Sequence, residues 1–431
     1  MHNLAIALSR KGYVVTGSDD AIYDPARRNL EAEGLLPEVG WNPENIHIGL
    51  DQVILGMHAR PDNPELIKAT EMGLEVMSFP EFVAKESENK TRLVVAGSHG
   101  KTTTTSMLMH ALKQAGFDFD YLVGSSIEGF DLSVKLTDAP LILIEGDEYL
   151  SSPIDRRSKF HWYNPDISII TGIAYDHINV FPSFQSYLDT FDEYIKAHRP
   201  ESHIIWFQGD EHLESLIGSA VCNTIAYHTP EYSLQNHQSS IHYNGELYPL
   251  SVIGEHNLQN IEAASLATEL LNVDKADFFR HMSSFEGAGK RMEKWLDSVN
   301  QVIYRDFAHS PSKLQATTKA VKDTYKDRTL LAVFELHTFS SLNRSFLPYY
   351  KDSMKSADRA IVYIDPHVFE HRKMEVLSKD EIKDSFGEVE VLDNPQELVS
   401  IIEESYNNED NILLMSSGTF SESEFSFRKN K

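Results

Sequence analysis

The chain of 431 residues is 41% hydrophobic and 24% charged, which is ordinary for a globular protein and long enough for about three domains. Its 39 basic and 65 acidic residues give a formal net charge of −26, which argues against nucleic acids and anionic membranes as partners. A single cysteine, Cys222, excludes an internal disulfide and a metal site built from several cysteines. With no long apolar run and no signal-peptide pattern, we expect a cytoplasmic protein.

The first region, residues 1–88, alternates apolar helical stretches with short strand-like runs. The predicted helices are 4–10 and 64–72, and the predicted strands are 13–16, 52–55 and 74–77. This rhythm predicts a parallel sheet with helical crossovers. Asp19 ends the sequence Gly17-Ser18-Asp19 after the first strand, where an acidic side chain can bond a ribose hydroxyl, although the same residues are equally typical of a simple turn.

A glycine loop between a strand and a helix opens the central region. Residues 93–96 form an apolar strand, residues 104–116 have helical spacing, and between them lies Gly97-Ser98-His99-Gly100-Lys101-Thr102-Thr103. Glycines let backbone N–H groups approach phosphate oxygens, Lys101 adds a cation, and Thr102 offers a hydroxyl to Mg²⁺. The loop is shorter than the commonest phosphate loop, and a chance glycine turn before a threonine-rich helix is the alternative.

Polar residues follow the next two predicted strands. Residues 140–144 end in Glu145-Gly146-Asp147-Glu148-Tyr149, and residues 167–171 lead into Ala174-Tyr175-Asp176-His177. Because open parallel sheets bind ligands beyond the carboxyl ends of their strands, Glu145 is a candidate Mg²⁺ ligand. His177 is a candidate second metal ligand. The alternatives are a solvated acidic loop and a hydrogen-bonded loop histidine.

The last region, about 295–431, again alternates strands and helices. The predicted strands are 299–304, 329–334, 360–364 and 412–415, and one predicted helix is 312–324. Ser416-Ser417-Gly418-Thr419 follows the last strand, either as a substrate-facing loop or as a simple turn. The repeated alternation predicts the α/β class for this region too.

Six motifs occur in a fixed order along the chain. They are the glycine loop at 97–103, the acidic run at 145–148, Asp176-His177, Gly254-Glu255-His256-Asn257 with Asn260, Gly289-Lys290-Arg291-Met292-Glu293, and Asp306-Phe307-Ala308-His309-Ser310-Pro311. In order and spacing they resemble the Mur ligase family, which builds the peptide of bacterial peptidoglycan. The resemblance covers essentially the whole chain. It implies an α/β protein of three domains: a Rossmann-like UDP-sugar domain at 1–88, a central P-loop ATPase domain at 89–294, and a Rossmann-like domain at 295–431 that closes over ATP.

The resemblance also implies site residues, with ATP and Mg²⁺ as cofactors. The ATP-binding residues would be Gly97, Ser98, His99, Gly100, Lys101, Thr102, Thr103, His256, Asn257, Asn260, Arg291 and Asp306. The metal ligands would be Thr102, Glu145 and His177. Catalytic roles would fall to Lys101, His177 and Arg291, and the substrates would lie near His309 and His337.

The implied reaction joins a carboxylate to an amine. The carboxylate attacks ATP, an acyl phosphate forms, and the amine then displaces phosphate, while Lys101, Arg291 and Mg²⁺ neutralise charge on the transferred group. The implied substrates are UDP-N-acetylmuramate and a peptide or amino-acid amine donor. A nucleotide-binding relative without ligase activity is the alternative, and retention of the phosphoryl-transfer residues favours the enzyme.

Two branches of the family differ in the amine donor. Tyr149 and the run Asp155-Arg156-Arg157-Ser158-Lys159-Phe160 are similar to the branch that attaches a recycled tripeptide, L-alanyl-γ-D-glutamyl-meso-diaminopimelate. We therefore predict that the basic residues of this run meet an anionic substrate, namely Arg156, Arg157 and Lys159. An ion-paired surface is the alternative. Glu335-Leu336-His337-Thr338 is instead similar to the L-alanine-adding branch, which is the alternative for the donor.

The chain departs from the family pattern in several places. Arg305 precedes Asp306 where the family has a second aspartate, and Ser310 replaces its second histidine. Asp192 lies near the position that a carbamylated lysine occupies in several family members, so we predict no carbamylated lysine here.

Met1 falls where the family's first helix begins, without the preceding strand and glycine turn. We therefore expect about fifteen to twenty further residues upstream in the natural protein, with a re-ordered sheet as the alternative.

Overall fold

The computed structural model describes residues 1–57, 59–289, 291–372, 374–421 and 423–428. The chain divides into two compact units. The first unit comprises Met1–Ile173 and Gln185–Tyr227, and the second comprises Ala174–Phe184 and His228–Lys431. None of the helices in these described ranges has the length and apolar character needed to cross a membrane.

The elements up to residue 227 are mostly short. The α-helices are α1 (His2–Arg10), α2 (Ala26–Ala32), α3 (Pro64–Glu71), α4 (Phe79–Glu86), α5 (Lys101–Gln114), α6 (Phe184–Lys196) and α7 (Glu211–Leu216). The strands are β1 (Val53–Leu55), β2 (Val76–Ser78), β3 (Thr91–Ala96), β4 (Phe119–Leu122), β5 (Val134–Lys135), β6 (Leu141–Glu145), β7 (Ile167–Ile170), β8 (His203–Phe207) and β9 (Asn223–Tyr227). Short 3-10 helices along the whole chain lie at Pro43–Asn45, Lys159–Trp162, Ile217–Ser219, Leu347–Tyr350 and Ser426–Arg428.

A seven-stranded sheet organises the first unit. Its order is β5-β4-β6-β3-β7-β8-β9, and the neighbouring strands are parallel except for β4 with β5. Strand β3 is central and lies between β6 and β7. Parallel neighbours end at the same edge of a sheet, so the loops after β3, β6 and β7 lie side by side. This topology brings the glycine loop next to the acidic run that follows β6.

The beginning of the chain differs from the prediction in one element. Helix α1 and the parallel pair β1 and β2 agree with the predicted alternation. Residues 13–16 were predicted to be a strand, but they have no regular structure, and Val14 is 99% exposed. An alternating apolar run becomes a strand only where a neighbour takes up its backbone hydrogen bonds. Within the described ranges no strand pairs with residues 13–16.

The second unit contains the remaining helices and strands. The helices are α8 (Glu255–Glu269), α9 (Lys275–Met282), α10 (Pro311–Thr324), α11 (Pro366–Arg372), α12 (Lys379–Phe386) and α13 (Pro395–Asn407). The strands are β10 (Tyr232–Gln235), β11 (Gln238–Tyr243), β12 (Glu246–Pro249), β13 (Glu293–Asp297), β14 (Val302–Asp306), β15 (Leu330–Leu336), β16 (Arg359–Ile364), β17 (Glu390–Leu392) and β18 (Asn411–Met415).

A six-stranded sheet forms the core of the second unit. Its order is β13-β14-β18-β15-β16-β17, and only β13 with β14 is antiparallel. Successive residues of β15 alternate between two apolar clusters, with Phe334 in one and Val333 in the other. The sheet is therefore covered on both faces, which explains why β15 and β18 are almost wholly apolar. Strands β10, β11 and β12 form a separate antiparallel sheet.

Candidate active site

Two glycines shape the loop that follows β3. Gly97 has φ +122°, and a Cβ atom there would lie only 2.9 Å from the backbone nitrogen of Thr171, beyond the end of β7. Gly100 has φ +72° and is the N-cap of α5. Only glycine adopts these conformations without strain. Helix α5 therefore begins at Lys101, before the predicted start at residue 104, and presents its N-terminal N–H groups at the loop.

The ammonium of Lys101 is held from two sides. Its Nζ donates to the carbonyl oxygen of Gly97 at 2.6 Å and to Oε2 of Glu148 at 2.6 Å. Glu148 is only 1% exposed, and the sequence had not assigned it a role. Burial alone would lower the pKa of Lys101, but the neighbouring carboxylates, with Glu148 foremost, raise it. Lys101 is therefore a charged group at neutral pH.

A tyrosine from α6 lies beneath the glycine loop. The Tyr187 hydroxyl donates to Oε1 of Glu148 at 2.8 Å and shares a 2.7 Å hydrogen bond with Oγ of Ser98. Tyr187 and Ser98 are both buried. Tyr187 could not be found from the sequence, because it is far from the motif along the chain and its spacing in α6 is that of an ordinary buried residue of an amphipathic helix.

The two predicted Mg²⁺ ligands of the first unit are in contact. Thr102 Oγ1 donates to Glu145 Oε1 at 2.7 Å, and the backbone N–H of Gly124 donates to Glu145 Oε2 at 2.8 Å. A hydroxyl and a carboxylate are hard oxygen donors of the kind Mg²⁺ prefers. The pair therefore fits the ion that the sequence predicted.

The basic run after β6 is only partly engaged by other protein groups. The Arg157 guanidinium lies 3.8 Å from the centre of the Trp162 ring, and Lys159 Nζ donates to Asp147 Oδ2 at 2.6 Å. Arg156 is exposed and forms no ion pair with any described residue. The Arg157 Nε also donates to Asp155 Oδ1 at 3.0 Å, so the ion-paired alternative holds for Arg157 and Lys159. Arg156 keeps its cation available to solvent and ligands.

Asp19 lies in a turn of the first unit. Its carbonyl oxygen accepts from the N–H of Gly40 at 2.8 Å, and its Oδ1 accepts from the N–H of Asp20 at 2.9 Å. Partial burial, followed by the hydrogen bond and charge of Asp20, raises the pKa of the Asp19 carboxyl. These bonds are typical of a turn, and the ribose contact stays a prediction.

His177 belongs to the Ala174–Phe184 segment of the second unit. Its backbone has φ +56°, its N–H donates to Asp176 Oδ1 at 2.8 Å, and its carbonyl oxygen accepts from the N–H of Val180 at 2.8 Å. The preceding residue, Tyr175, packs edge to face on Phe346 with ring centres 5.8 Å apart. Local hydrogen bonds and aromatic packing thus fix the backbone that carries His177.

Helix α8 carries three of the predicted ATP-binding residues. Asn257 and Asn260 are buried, and Asn257 Nδ2 donates to the carbonyl oxygen of Ile253 at 2.8 Å. His256 lines a cavity of about 250 Å³ between the start of α8, the strand β10 and one face of α10. Burial lowers the pKa of His256 to about 4.

This shifted pKa predicts a pH dependence of stability. An unfolded histidine titrates near 6.5, so between pH 6.5 and about 4 the unfolded chain binds a proton that folded His256 does not. The free energy of unfolding therefore falls as the pH falls through this range, by at most about 1.4 kcal/mol per pH unit. Because His256 is not fully enclosed, we expect about half of that slope.

Urea unfolding at pH 7, 6 and 5 measures this effect. We expect His256→Gln to lose less stability between pH 7 and 5 than the parent protein does. His47→Gln, which changes an exposed histidine, is the matched control and should leave the slope unchanged. Equal slopes for the parent and His256→Gln would contradict the assignment.

Asp306 joins two loops of the second unit. Its Oδ2 accepts from the N–H of Met292 at 2.8 Å, and its Oδ1 accepts from the N–H of Ala308 at 2.6 Å. Burial raises the pKa of the Asp306 carboxyl against the opposing effect of Arg291. The Arg291 guanidinium lies 5.2 Å from the centre of the Phe307 ring. The structure thus places Asp306 near Arg291, with its carboxylate holding the backbone of the next residue, and the contact of both with ATP stays a prediction. Lys290 of the same motif lies outside the described residues.

His309 follows on the same loop and precedes α10. Its Nδ1 makes a 2.8 Å hydrogen bond with the carbonyl oxygen of Phe307, and its own carbonyl oxygen accepts from the Tyr350 hydroxyl at 2.6 Å. Burial, together with the charge of Lys313, lowers the pKa of His309 to about 3. The imidazole is therefore neutral at physiological pH.

A buried carboxylate lies at the carboxyl edge of the second sheet. Glu335 on β15 is 2% exposed and accepts hydrogen bonds from the Ser416 hydroxyl and from the N–H of Phe420, the latter at 3.0 Å. These hydrogen bonds hold the loop after β18. The loop lies beside His337, since a Cβ atom on Gly418 would be only 2.7 Å from His337 Nδ1. The structure thus places His337 next to the loop that the sequence offered as substrate-facing. Glu335 itself was missed as a site residue.

Strand β3, the glycine loop and α5, with a lysine and a hydroxyl–carboxylate pair at the loop, define a nucleotide-phosphate-binding protein of the P-loop class. The second unit adds an open, mostly parallel α/β sheet with polar groups at its carboxyl edge. Both features agree with the predicted α/β class.

Family models match nearly the whole chain. They are the Mur ligase family catalytic domain at residues 1–91, the Mur ligase middle domain at 95–268, and the Mur ligase glutamate ligase domain at 290–418. The chain belongs to the Mur ligase family. It is an ATP-dependent amide ligase of peptidoglycan precursor synthesis with the family's three α/β domains, which confirms the predicted family, fold class and enzyme class.

Similar proteins come from both branches considered above. The UDP-N-acetylmuramate–L-alanine ligase of Ligilactobacillus salivarius is 30% identical, and the match covers 99% of this chain and 94% of that protein. The structure of a murein peptide ligase from Psychrobacter arcticus has a TM-score of 0.67 at 24% identity, covering 98% and 94% of the two chains. UDP-N-acetylmuramate–alanine ligase from Thermotoga maritima has a TM-score of 0.70 at 21% identity, covering 99% and 95%. These structural likenesses concern the fold alone.

Proposed function

We propose that this ligase joins L-alanyl-γ-D-glutamyl-meso-diaminopimelate to the carboxylate of UDP-N-acetylmuramate in peptidoglycan recycling. ATP activates the carboxylate as an acyl phosphate, and the amine of the tripeptide displaces phosphate. The observation that carries the choice of donor is the basic run after β6. The tripeptide brings several carboxylates to the site, whereas L-alanine brings one.

Arg156 supports this donor more than the other basic residues do. Its side chain is exposed, whereas Lys159 is occupied by Asp147 at 2.6 Å. An exposed guanidinium binds a carboxylate with two parallel hydrogen bonds at little cost in desolvation. Arg156 is therefore the proposed contact of this run with the peptide carboxylates, and Arg157 and Lys159 are the proposed supports around it.

A second candidate function is addition of L-alanine. It is favoured by the curated relative from Ligilactobacillus salivarius, which carries that name at 30% identity over almost the whole chain. His337 beside the loop after β18 also fits the alanine-adding pattern. The two functions differ in the donor and share the UDP-sugar, the nucleotide and the acyl phosphate.

The roles of the chain's own residues follow from the geometry. Lys101 and Arg291 would neutralise the transferred phosphoryl group, while Thr102 and Glu145 would hold Mg²⁺, which would supply further positive charge to the phosphates. His177 stays a proposed metal ligand carried by the second unit. The remaining ATP contacts are proposed for the loop at 97–103 and for His256, Asn257 and Asn260. Asp306 acts by fixing the backbone next to Arg291.

The domain boundaries are proposed near residues 88 and 294. The three domains would be the UDP-sugar domain at 1–88, the central domain at 89–294 and the C-terminal domain at 295–431. We propose a cytoplasmic location, where UDP-activated precursors and ATP are both present.

A donor panel tests the proposal. ADP formation is measured with UDP-N-acetylmuramate and either L-alanine, L-alanyl-D-glutamate or the tripeptide. We expect the highest kcat/KM with the tripeptide. We also expect Arg156→Ala to raise the KM for the tripeptide about tenfold, as for loss of one charge-assisted contact.

Arg60→Ala, which changes another exposed arginine of the first unit, is the control. A higher kcat/KM with L-alanine would establish the second function. ATP binding without turnover on any donor would indicate an inactive relative.

A further inference from the structure

We propose that Tyr187 is a positioning residue for nucleotide binding, because its hydroxyl connects the glycine loop to the carboxylate that holds Lys101. The inference rests on the proposed phosphate-binding role of the loop and does not depend on the amine donor. It involves Ser98 on the loop, Glu148 after β6 and Tyr187 on α6.

The direction of each hydrogen bond in this connection is fixed by chemistry. The Glu148 carboxylate can only accept, so the Tyr187 hydroxyl donates its single proton to Oε1 at 2.8 Å. Tyr187 then has no proton for Ser98, so the Ser98 hydroxyl donates to Tyr187 across 2.7 Å. The other Glu148 oxygen, Oε2, accepts from Lys101 at 2.6 Å. Ser98, Tyr187 and Glu148 thus form a directed chain that ends at the lysine.

The chain determines where the Lys101 ammonium can go. An ammonium has three donor hydrogens. Gly97 and Glu148 accept two of them, each at 2.6 Å, and this leaves one for a ligand oxygen. The cation is therefore placed before the nucleotide arrives, and placing it costs little at the moment of binding.

Burial makes the arrangement rigid. Tyr187 is fully buried, Glu148 is 1% exposed and Ser98 is 3% exposed, so water cannot replace a missing partner. Removing the tyrosine hydroxyl breaks two buried hydrogen bonds, the one that Ser98 donates and the one that Oε1 of Glu148 accepts. Buried polar groups that lose a hydrogen bond shift toward other partners. We expect both the loop and the lysine to be displaced.

The test is Tyr187→Phe, which keeps the ring and removes the hydroxyl. Binding of AMPPNP with Mg²⁺ is measured by calorimetry, and ADP formation is measured at saturating donor. We expect AMPPNP affinity and kcat each to fall about tenfold, with the KM for UDP-N-acetylmuramate unchanged. Unchanged AMPPNP affinity in Tyr187→Phe would overturn the inference. Failure of the parent protein to bind AMPPNP would instead sink the proposed role of the loop.

Tyr194→Phe is the matched control. Tyr194 lies on the same helix, is 1% exposed, and makes a 2.9 Å hydrogen bond with the Ser168 hydroxyl of β7, away from the glycine loop. We expect it to lower the thermal midpoint about as much as Tyr187→Phe does, without changing AMPPNP affinity. If both variants weaken AMPPNP binding equally, the effect is one of general stability and the inference fails.

Glu148→Gln separates positioning of Lys101 from two other roles of the carboxylate. The amide keeps an acceptor for Tyr187 but no longer balances the lysine charge. We expect weaker AMPPNP binding both with Mg²⁺ and in EDTA, because the effect passes through Lys101. Weaker AMPPNP binding only in the presence of Mg²⁺ would indicate that Glu148 is a metal ligand. Tighter AMPPNP binding would indicate that Glu148 competes with phosphate for Lys101. Either result would overturn the inference.

Discussion

Replacing Lys101 with alanine is expected to lower turnover about a hundredfold or more. The substitution removes the only cationic side chain of the glycine loop, while the backbone N–H groups at the start of α5 remain. A preorganised charge at a developing transition state is typically worth this much. Steady-state ADP formation measures the loss, and AMPPNP binding shows how much of it appears already in the ground state.

The same substitution has a structural cost that must be separated from the catalytic one. Glu148 is buried and loses its ion-pair partner, and an unpaired buried charge destabilises a protein by about 3–5 kcal/mol. The double variant Lys101→Ala/Glu148→Gln should recover most of the thermal stability and none of the turnover. Lys113→Ala, on the exposed end of the same helix, is the control for loss of a lysine. Near-normal turnover of Lys101→Ala would remove the lysine from the mechanism.

Replacing Gly97 with alanine is expected to abolish measurable nucleotide binding, with a loss of about a hundredfold or more. The new Cβ would lie 2.9 Å from the backbone nitrogen of Thr171 and 3.1 Å from the carbonyl oxygen of Gly172. Both are backbone atoms that cannot rotate away. The loop must therefore move away from β7, which displaces the Gly97 carbonyl oxygen that holds Lys101.

Gly116→Ala is the matched control for this variant. Gly116 also has a positive φ, +77°, but a Cβ atom there would meet nothing within 4 Å. It should cost only the conformational penalty of about 1 kcal/mol and leave AMPPNP affinity unchanged. Equal effects of the two variants on AMPPNP affinity would contradict a steric role for Gly97. Calorimetry and thermal unfolding on both variants distinguish these outcomes.

Much of the first unit's site could be predicted because its signals are local or follow a topological rule. The strand, the glycine loop and the helix occupy one continuous stretch of sequence. The contact of Thr102 with Glu145 followed from the rule that neighbouring parallel strands end at the same edge. The structure brings these two candidate Mg²⁺ ligands together, and their role as ligands stays a prediction.

Other features could not be predicted, since they depend on partners distant in the chain. Tyr187 enters the site from a helix whose sequence carries no motif, and Glu335 is buried only because the loop after β18 folds over it. The strand predicted at 13–16 was wrong because periodicity does not reveal whether a neighbouring strand exists. Strand β13 was missed because its pairing with β14 is antiparallel and irregular, with a shift between Lys294 and Leu296.

The position of β18 has a consequence for biosynthesis. This strand lies between β14 and β15 and pairs with both, yet the ribosome makes it last of the six. At typical elongation rates, roughly 4 to 16 seconds separate completion of β15 from completion of β18. During that interval β14 and β15 lack the partner that joins them, and each presents an open edge to other chains. The second sheet therefore closes only after β18 has been made, and a stop codon before Asn411 would split it into two.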